Sequence, residues 1–231
     1  MASAAAPDAP HYLGHRQRLR DRFLQSGGES LPDYEMLELV LFLARPRGDM
    51  KPLAKTLLDR FGSFAQVISA DPKALAAITG VGASAVATFK TVQAAALRLT
   101  RAEVMDRPVL STWQKLLDYC HASMAYGDRE QFRVLYLNRK NILIADELQH
   151  EGTIDQTAVY PREVIKRALE VGATALIMVH NHPSGDPTPS RADIDMTREV
   201  KEAGEKLGIA LHDHIVVAKR GNSPFKALGL L

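Results

Sequence analysis

The feature that most limits the fold is the run ATALIMVH over residues 173–180, which is near-continuously apolar and of strand rather than helix length. A run of this kind is buried on both faces, so it belongs in the middle of a sheet covered by other layers. The flanking sequence supplies the covering. PREVIKRALEVG before it and SRADIDMTREVKEAGEKLG after it carry apolar residues at helical spacing, with Gly208 near the end of the second. FRVLYLN and NILIADEL, joined through Arg139 and Lys140, read as an antiparallel hairpin, and IALHDHIVVAK adds a last strand. The carboxyl half is therefore α/β (α+β), a sheet with flanking helices.

The amino-terminal half has another texture. LPDYEMLELVLFLA has Pro32 near its start, and KPLAKTLLDRFGS repeats the helical pattern until Gly62 stops it. DPKALAAITGVGASAVATFKTVQAAALRL reads as two helical runs joined by Thr79-Gly80-Val81-Gly82. Periodicity lapses in TRAEVMDRPVLSTW, where Pro108 interrupts. The expected organisation is a loose Ala/Pro-rich tail over 1–10, an all-α domain over 11–105 and the α/β domain over 106–231.

With 46% hydrophobic and 24% charged residues, the chain has the composition of a folded protein, and its net charge of +2 neither demands nor excludes an acidic partner. No segment reaches the length of apolar sequence that a membrane span needs, and MASAAAPDAP lacks the basic start of a signal peptide. A single cysteine, Cys120, excludes a disulfide framework and any CxxC zinc ribbon, which fits a reducing cytoplasm and leaves metal binding to His and carboxylates.

Polar chemistry gathers where the apolar run ends, in VHNHPSGDPTPSRAD. Side chains two apart on an extended chain point the same way, so His180 and His182 can face one ion while Asn181 points away. The loop PSGDPTP can fold back and deliver Asp193 from the first turn of the next helix. Two imidazoles and one carboxylate suit zinc and leave a fourth position for water, as in a catalytic site. Ser190 and Asp193 equally fit a capping box, in which Ser190 caps the helix and Asp193 reaches back. A second His-x-His, His212 and His214, has no loop after it to bring a third ligand, and reads as strand or supporting residues.

The pattern His-x-His, seven residues, Ser-x-x-Asp resembles the JAMM, or MPN+, metalloprotease motif, here with His180, His182, Ser190 and Asp193. The wording HNHPSGDPTPS, with VYPREVIKRAL upstream, resembles specifically the bacterial RadC family. HYLGHRQRLRDRF and LAAITGVGASAV are similar to that family's leader and helix-hairpin-helix, so the likeness covers nearly the whole chain. Val86 departs from it, standing where such turns usually carry Ala.

The resemblance implies an MPN/JAB-like domain with a cytidine-deaminase-like three-layer sheet, preceded by an all-α helix-hairpin-helix domain. It implies one zinc ion on His180, His182 and Asp193, and hydrolysis of a peptide or isopeptide bond by activated water. It further implies a glutamate base on an early strand, for which Glu130 fits best and Glu147 is the runner-up. Ser190 would hydrogen-bond the oxyanion. In the amino-terminal module, Gly80, Val81 and Gly82 can bring backbone N–H groups close to phosphates and Lys90 can add a contact, giving sequence-independent DNA binding. Arg16, Arg18, Arg20 and Arg22 are dense enough to meet phosphates or to form a solvated face. Two other classes stand beside the hydrolase: a non-enzymatic DNA-repair or recombination accessory with a structural metal, and a zinc nuclease. A nucleobase deaminase needs a PCxxC that this chain lacks.

Overall fold

A computed structural model describes residues 14–105, 107–152 and 159–231. The expected tail over 1–10 lies outside the described residues. Packing divides the chain into a unit ending at Gln93 and a second running from Ala94 to Leu231.

In the first unit every described element is helical: α1 (His15–Ser26), α2 (Asp33–Ala44), α3 (Lys51–Phe61), α4 (Phe64–Ser69), α5 (Pro72–Ala76) and the start of α6 (Ala83–Val104). Leu37, Leu41, Leu57, Val67, Leu75 and Phe89 are fully buried and form its core. Local signals start and stop these helices. Ser63 caps α4 by accepting from Gln66 N, Asp71 caps α5 by accepting from Lys73 N and Ala74 N, and Gly62 ends α3 with φ 101°. The basic face of α1 is partly committed to the fold: Arg22 pairs with Glu35, and Arg16 stacks over Phe42 and donates to the Gly48 carbonyl.

The expected boundary at 105/106 and the observed division at Gln93 differ because α6 is one unbroken helix of 22 residues. Phe89 and Val92 join the first core, whereas Val104 belongs to the second. A helical period shows where such a helix ends, not which core each stretch of it enters.

The second unit has three layers. Its sheet runs in the order β2 (Leu143–Glu151), β1 (Gln131–Leu137), β3 (Ala175–Asn181), β4 (Ala210–Ala218), β5 (Gly221–Pro224). β1 and β2 form the antiparallel hairpin, and β3 is antiparallel to β1 but parallel to β4. α7 (Trp113–Met124) covers one face through Leu116, Cys120 and Met124 against Leu135, Ile177 and Ile215. α8 (Pro161–Glu170) and α9 (Arg191–Glu205) cover the other, with Val164, Ala168 and Val200 against Val134, Tyr136 and Met178. All seven residues of β3 are buried, as a strand covered on both faces must be. No described helix is long and apolar enough to cross a membrane.

This topology sets one corner of the sheet apart. His180 is aligned with Phe132 on β1 and Val216 on β4, at the carboxyl end of β3, where one neighbour runs parallel and the other antiparallel. In open sheets with helices on both faces, the carboxyl ends of such strands beside a change of direction are where ligands bind.

Candidate metal centre

β3 delivers His180, which is 1% exposed, and the parallel ladder continues one step as His182 N donates to the Val217 carbonyl. The chain then turns at Gly185, whose φ of 88° is left-handed. Asp186 fixes the loop by accepting at Oδ1 from both the N–H and the hydroxyl of Thr188. Ser190 caps α9, and Asp193 occupies the first turn of that helix.

Three donor atoms converge there. His180 Nε2 lies 3.0 Å from His182 Nε2 and 3.3 Å from Asp193 Oδ1, and His182 Nε2 lies 3.6 Å from Asp193 Oδ2. With one donor atom taken from each residue, the three lie within 4.8 Å of one another, close enough to share a single ion. Among the described residues this is the His/Cys/Asp/Glu group of three that can hold an ion. The tautomer of His182 fits the same purpose. Its Nδ1 sits 2.9 Å from the Asp186 carbonyl, which can only accept, so in the neutral ring Nδ1 carries the proton and Nε2 offers a lone pair to the site. The side chains of His182 and Asp193 are 18% and 13% exposed, so the centre opens to solvent on their side.

Asp193 serves two structures at once. Its Oδ2 accepts from Ser190 N at 2.7 Å and Ser190 Oγ at 2.6 Å, while Ser190 Oγ accepts from Asp193 N, a complete capping box. Burial pushes its carboxyl pKa up, but the contacts with His180, His182 and Ser190 outweigh burial and hold it well below the usual carboxylate range. The same contact with Asp193 raises the pKa of His182, helped by the Asp186 carbonyl and the charge of Glu130.

Behind this group is a second row, of which the sequence offered His214 as a strand or supporting residue and left Thr197 unassigned. His180 Nδ1 meets His214 Nε2 at 2.8 Å, His214 Nδ1 meets Thr197 Oγ1 at 2.6 Å, and Thr197 Oγ1 donates to the Asp193 carbonyl at 2.5 Å. His214 and Thr197 are buried, and the Phe225 ring lies 4.5 Å from the His214 ring. Burial, and then His180 beside it, keep the pKa of His214 well below that of an ordinary histidine. Of the rival pair, His214 thus backs His180, while His212 bonds Asn141 Oδ1 at 2.6 Å instead. Thr197 was detectable in principle, since it follows Asp193 by four residues and shares its helix face.

Asn181 does point away from the metal position, into a separate task. Its Oδ1 accepts from Gln131 N at 2.7 Å and its Nδ2 donates to the Arg129 carbonyl at 3.0 Å, so one buried amide grips both neighbours of Glu130. Glu130 itself lies directly before β1 and its carbonyl accepts from Gly152 N. Glu147 is on β2, held by Arg167 through Nε and Nη2 contacts of 2.7–3.1 Å, and this pairing depresses its pKa. In the first unit, Lys90 donates to the Ile68 carbonyl and to Gln93, so its ammonium is occupied within the fold. Val81 is 7% exposed, and its N–H is spent on the Ile78 carbonyl.

A family profile described as a RadC-like JAB domain matches residues 110–230. A UPF0758 protein of Rhodobacter capsulatus is 61% identical over 213 residues, spanning 92% of this chain and all of that protein. A UPF0758 protein of Ruegeria pomeroyi is 56% identical over 223 residues, spanning 96% of this chain and all of that one.

Proposed function

The chain belongs to the RadC family, and from that premise we propose that it is a zinc-dependent hydrolase of the JAMM type that cleaves a peptide or isopeptide amide. The observation that carries this reading is the convergence of two imidazole nitrogens and a carboxylate within 4.8 Å of one another on a solvent-open corner. His180, His182 and Asp193 would hold the ion. When bound, it supplies Lewis-acid chemistry, polarising a carbonyl and lowering the pKa of a water toward about 7.

The chain's own groups do the rest. Glu130 takes the proton of the attacking water and returns it to the leaving amine. Its attachment through both neighbours to Asn181, which stands between His180 and His182, supports this assignment over Glu147, which Arg167 neutralises. Asn181 steadies Glu130 by fixing the backbone on either side of it. Ser190 braces Asp193, and its hydroxyl reaches an oxyanion only by releasing Oδ2. The buried free Cys120 is in keeping with a cytoplasmic location.

The metal-loaded chain, incubated with peptide and isopeptide-linked libraries and read by mass spectrometry, is expected to cleave amides. Glu130→Gln should slow cleavage by at least about 100-fold with metal content unchanged. Absence of cleavage by the loaded chain, or equal cleavage by the variant, overturns the reading.

One observation favours added DNA contact by the amino-terminal module. Gly80 has φ 93°, which the fold requires of it, but Gly82 has ordinary φ and open space where a Cβ would stand. The fold therefore accepts a side chain at Gly82, whereas a phosphate approaching the backbone does not. Gly80→Ala is expected to cost about 1–2 kcal/mol in denaturant unfolding. Gly82→Ser, at the residue whose carbonyl accepts the first bonds of α6, should change stability by only a few tenths of a kcal/mol. In a salt-titrated assay it should nonetheless weaken duplex binding. Unchanged binding by Gly82→Ser removes the DNA contact.

A further inference from the structure

The line of hydrogen bonds behind His180 fixes the position of every proton in it, starting from its far end. The Asp193 carbonyl has no proton to give, so at 2.5 Å the Thr197 hydroxyl must donate to it. That hydroxyl has then spent its only proton and, at 2.6 Å from His214 Nδ1, must accept. His214 Nδ1 therefore carries the ring proton. His214 is fully buried between the Phe132 and Phe225 rings, an apolar setting that disfavours a second ring proton, so its Nε2 is bare. A bare Nε2 at 2.8 Å from His180 Nδ1 accepts, which places the proton of His180 on Nδ1 and leaves its Nε2 lone pair facing His182 and Asp193.

We propose that Thr197 and His214 are positioning residues that hold His180 in its metal-ready tautomer and so set the affinity of the site. The arrangement rests on the metal-centre reading but adds to it a closed circuit. It leaves β3 at His180, crosses to β4 at His214, reaches α9 at Thr197, and returns to the third ligand through the Asp193 main chain. Ligands on a strand and a helix are thereby tied by hydrogen bonds whose direction is determined. His182 obtains the same tautomer from a loop carbonyl, so both imidazoles are oriented before an ion arrives. Neither Thr197 nor His214 belongs to the group of His180, His182 and Asp193 that would hold the ion.

Thr197→Val removes the hydroxyl at nearly constant volume and frees His214 to move its proton to Nε2, which turns a donor toward His180 Nδ1. Zinc affinity, read by competition with a chelating dye, is expected to fall 10- to 100-fold with one ion still bound at saturation. Thr197→Ser, which keeps the hydroxyl, should stay within about threefold of the parent. In metal-free parent protein at alkaline pH, long-range nitrogen–proton NMR should show His180 and His214 protonated at Nδ1. Thr197→Val should convert His214 to mixed tautomers.

A parent His180 protonated at Nε2, or Thr197→Val with unchanged zinc affinity, overturns the proposal. Should Thr197→Val fail to fold, the parent tautomers and the Thr197→Ser affinity decide it. A parent chain that binds no zinc overturns the metal-centre reading instead, while the tautomer measurement still reports on the line of protons.

Discussion

His180→Ala is expected to abolish zinc binding, leaving well under a tenth of an ion per chain, and to destabilise the metal-free protein as well. Both losses follow from where the side chain sits. It is 1% exposed, supplies one donor to the metal position, and gives its other nitrogen to His214. Truncation leaves His214 Nε2 buried without a partner and opens a cavity beside Phe132, together costing about 2–4 kcal/mol. His182→Ala removes a ligand of equal rank, but its side chain is partly exposed and its other bond goes to a loop carbonyl. It should abolish zinc binding while costing less than about 1 kcal/mol in the metal-free state. For the parent, zinc at 1,000 times its dissociation constant adds about 4 kcal/mol, and both variants should lose this increment. Denaturant unfolding with and without zinc reads all four quantities. Retention of the zinc increment by either variant would remove that histidine from the ligand set.

The contrast between these two histidines marks what the sequence could carry. Alternation along an extended chain is a local property, so ATALIMVH with its trailing His-x-His foretold the buried strand and the shared orientation of His180 and His182. Ser190 and Asp193 were legible for a similar reason, since a capping box is set within one helical turn. What differs between His180 and His182 is tertiary. One backs onto β4 and α9 and the other onto its own loop, and no spacing in β3 encodes that. Asn181 is the plainest case. Its alternation says only that it faces away from the ligands, while its grip on Arg129 and Gln131 depends on β1 lying beside β3, a pairing that spans 50 residues. The choice between Glu130 and Glu147 was of the same kind, because Arg167, which occupies Glu147, comes from a helix 20 residues away. The division within α6 was hidden in turn by the continuity of that helix.

Asp193 is where the two legible readings, helix cap and metal ligand, meet in one carboxylate, and two substitutions separate them. Asp193→Asn keeps an oxygen that can accept from Ser190 N, so most of the capping box survives. What it loses is the negative charge, favourable near the amino terminus of α9 by about 0.3–1 kcal/mol and needed to bind a cation beside two neutral imidazoles. Its zinc affinity should therefore fall by more than about 100-fold, with a loss of metal-free stability under about 1 kcal/mol. Asp193→Ala loses the reciprocal bond to Ser190 as well, and should cost a further ~1 kcal/mol without weakening zinc much beyond the asparagine variant. The two properties thus move independently: charge sets the metal, and either oxygen-bearing side chain maintains the helix start. Zinc titration and denaturant unfolding of both variants read this directly. If Asp193→Asn binds zinc as the parent does, the carboxylate is a cap alone, and the third ligand must come from elsewhere on that solvent-open corner.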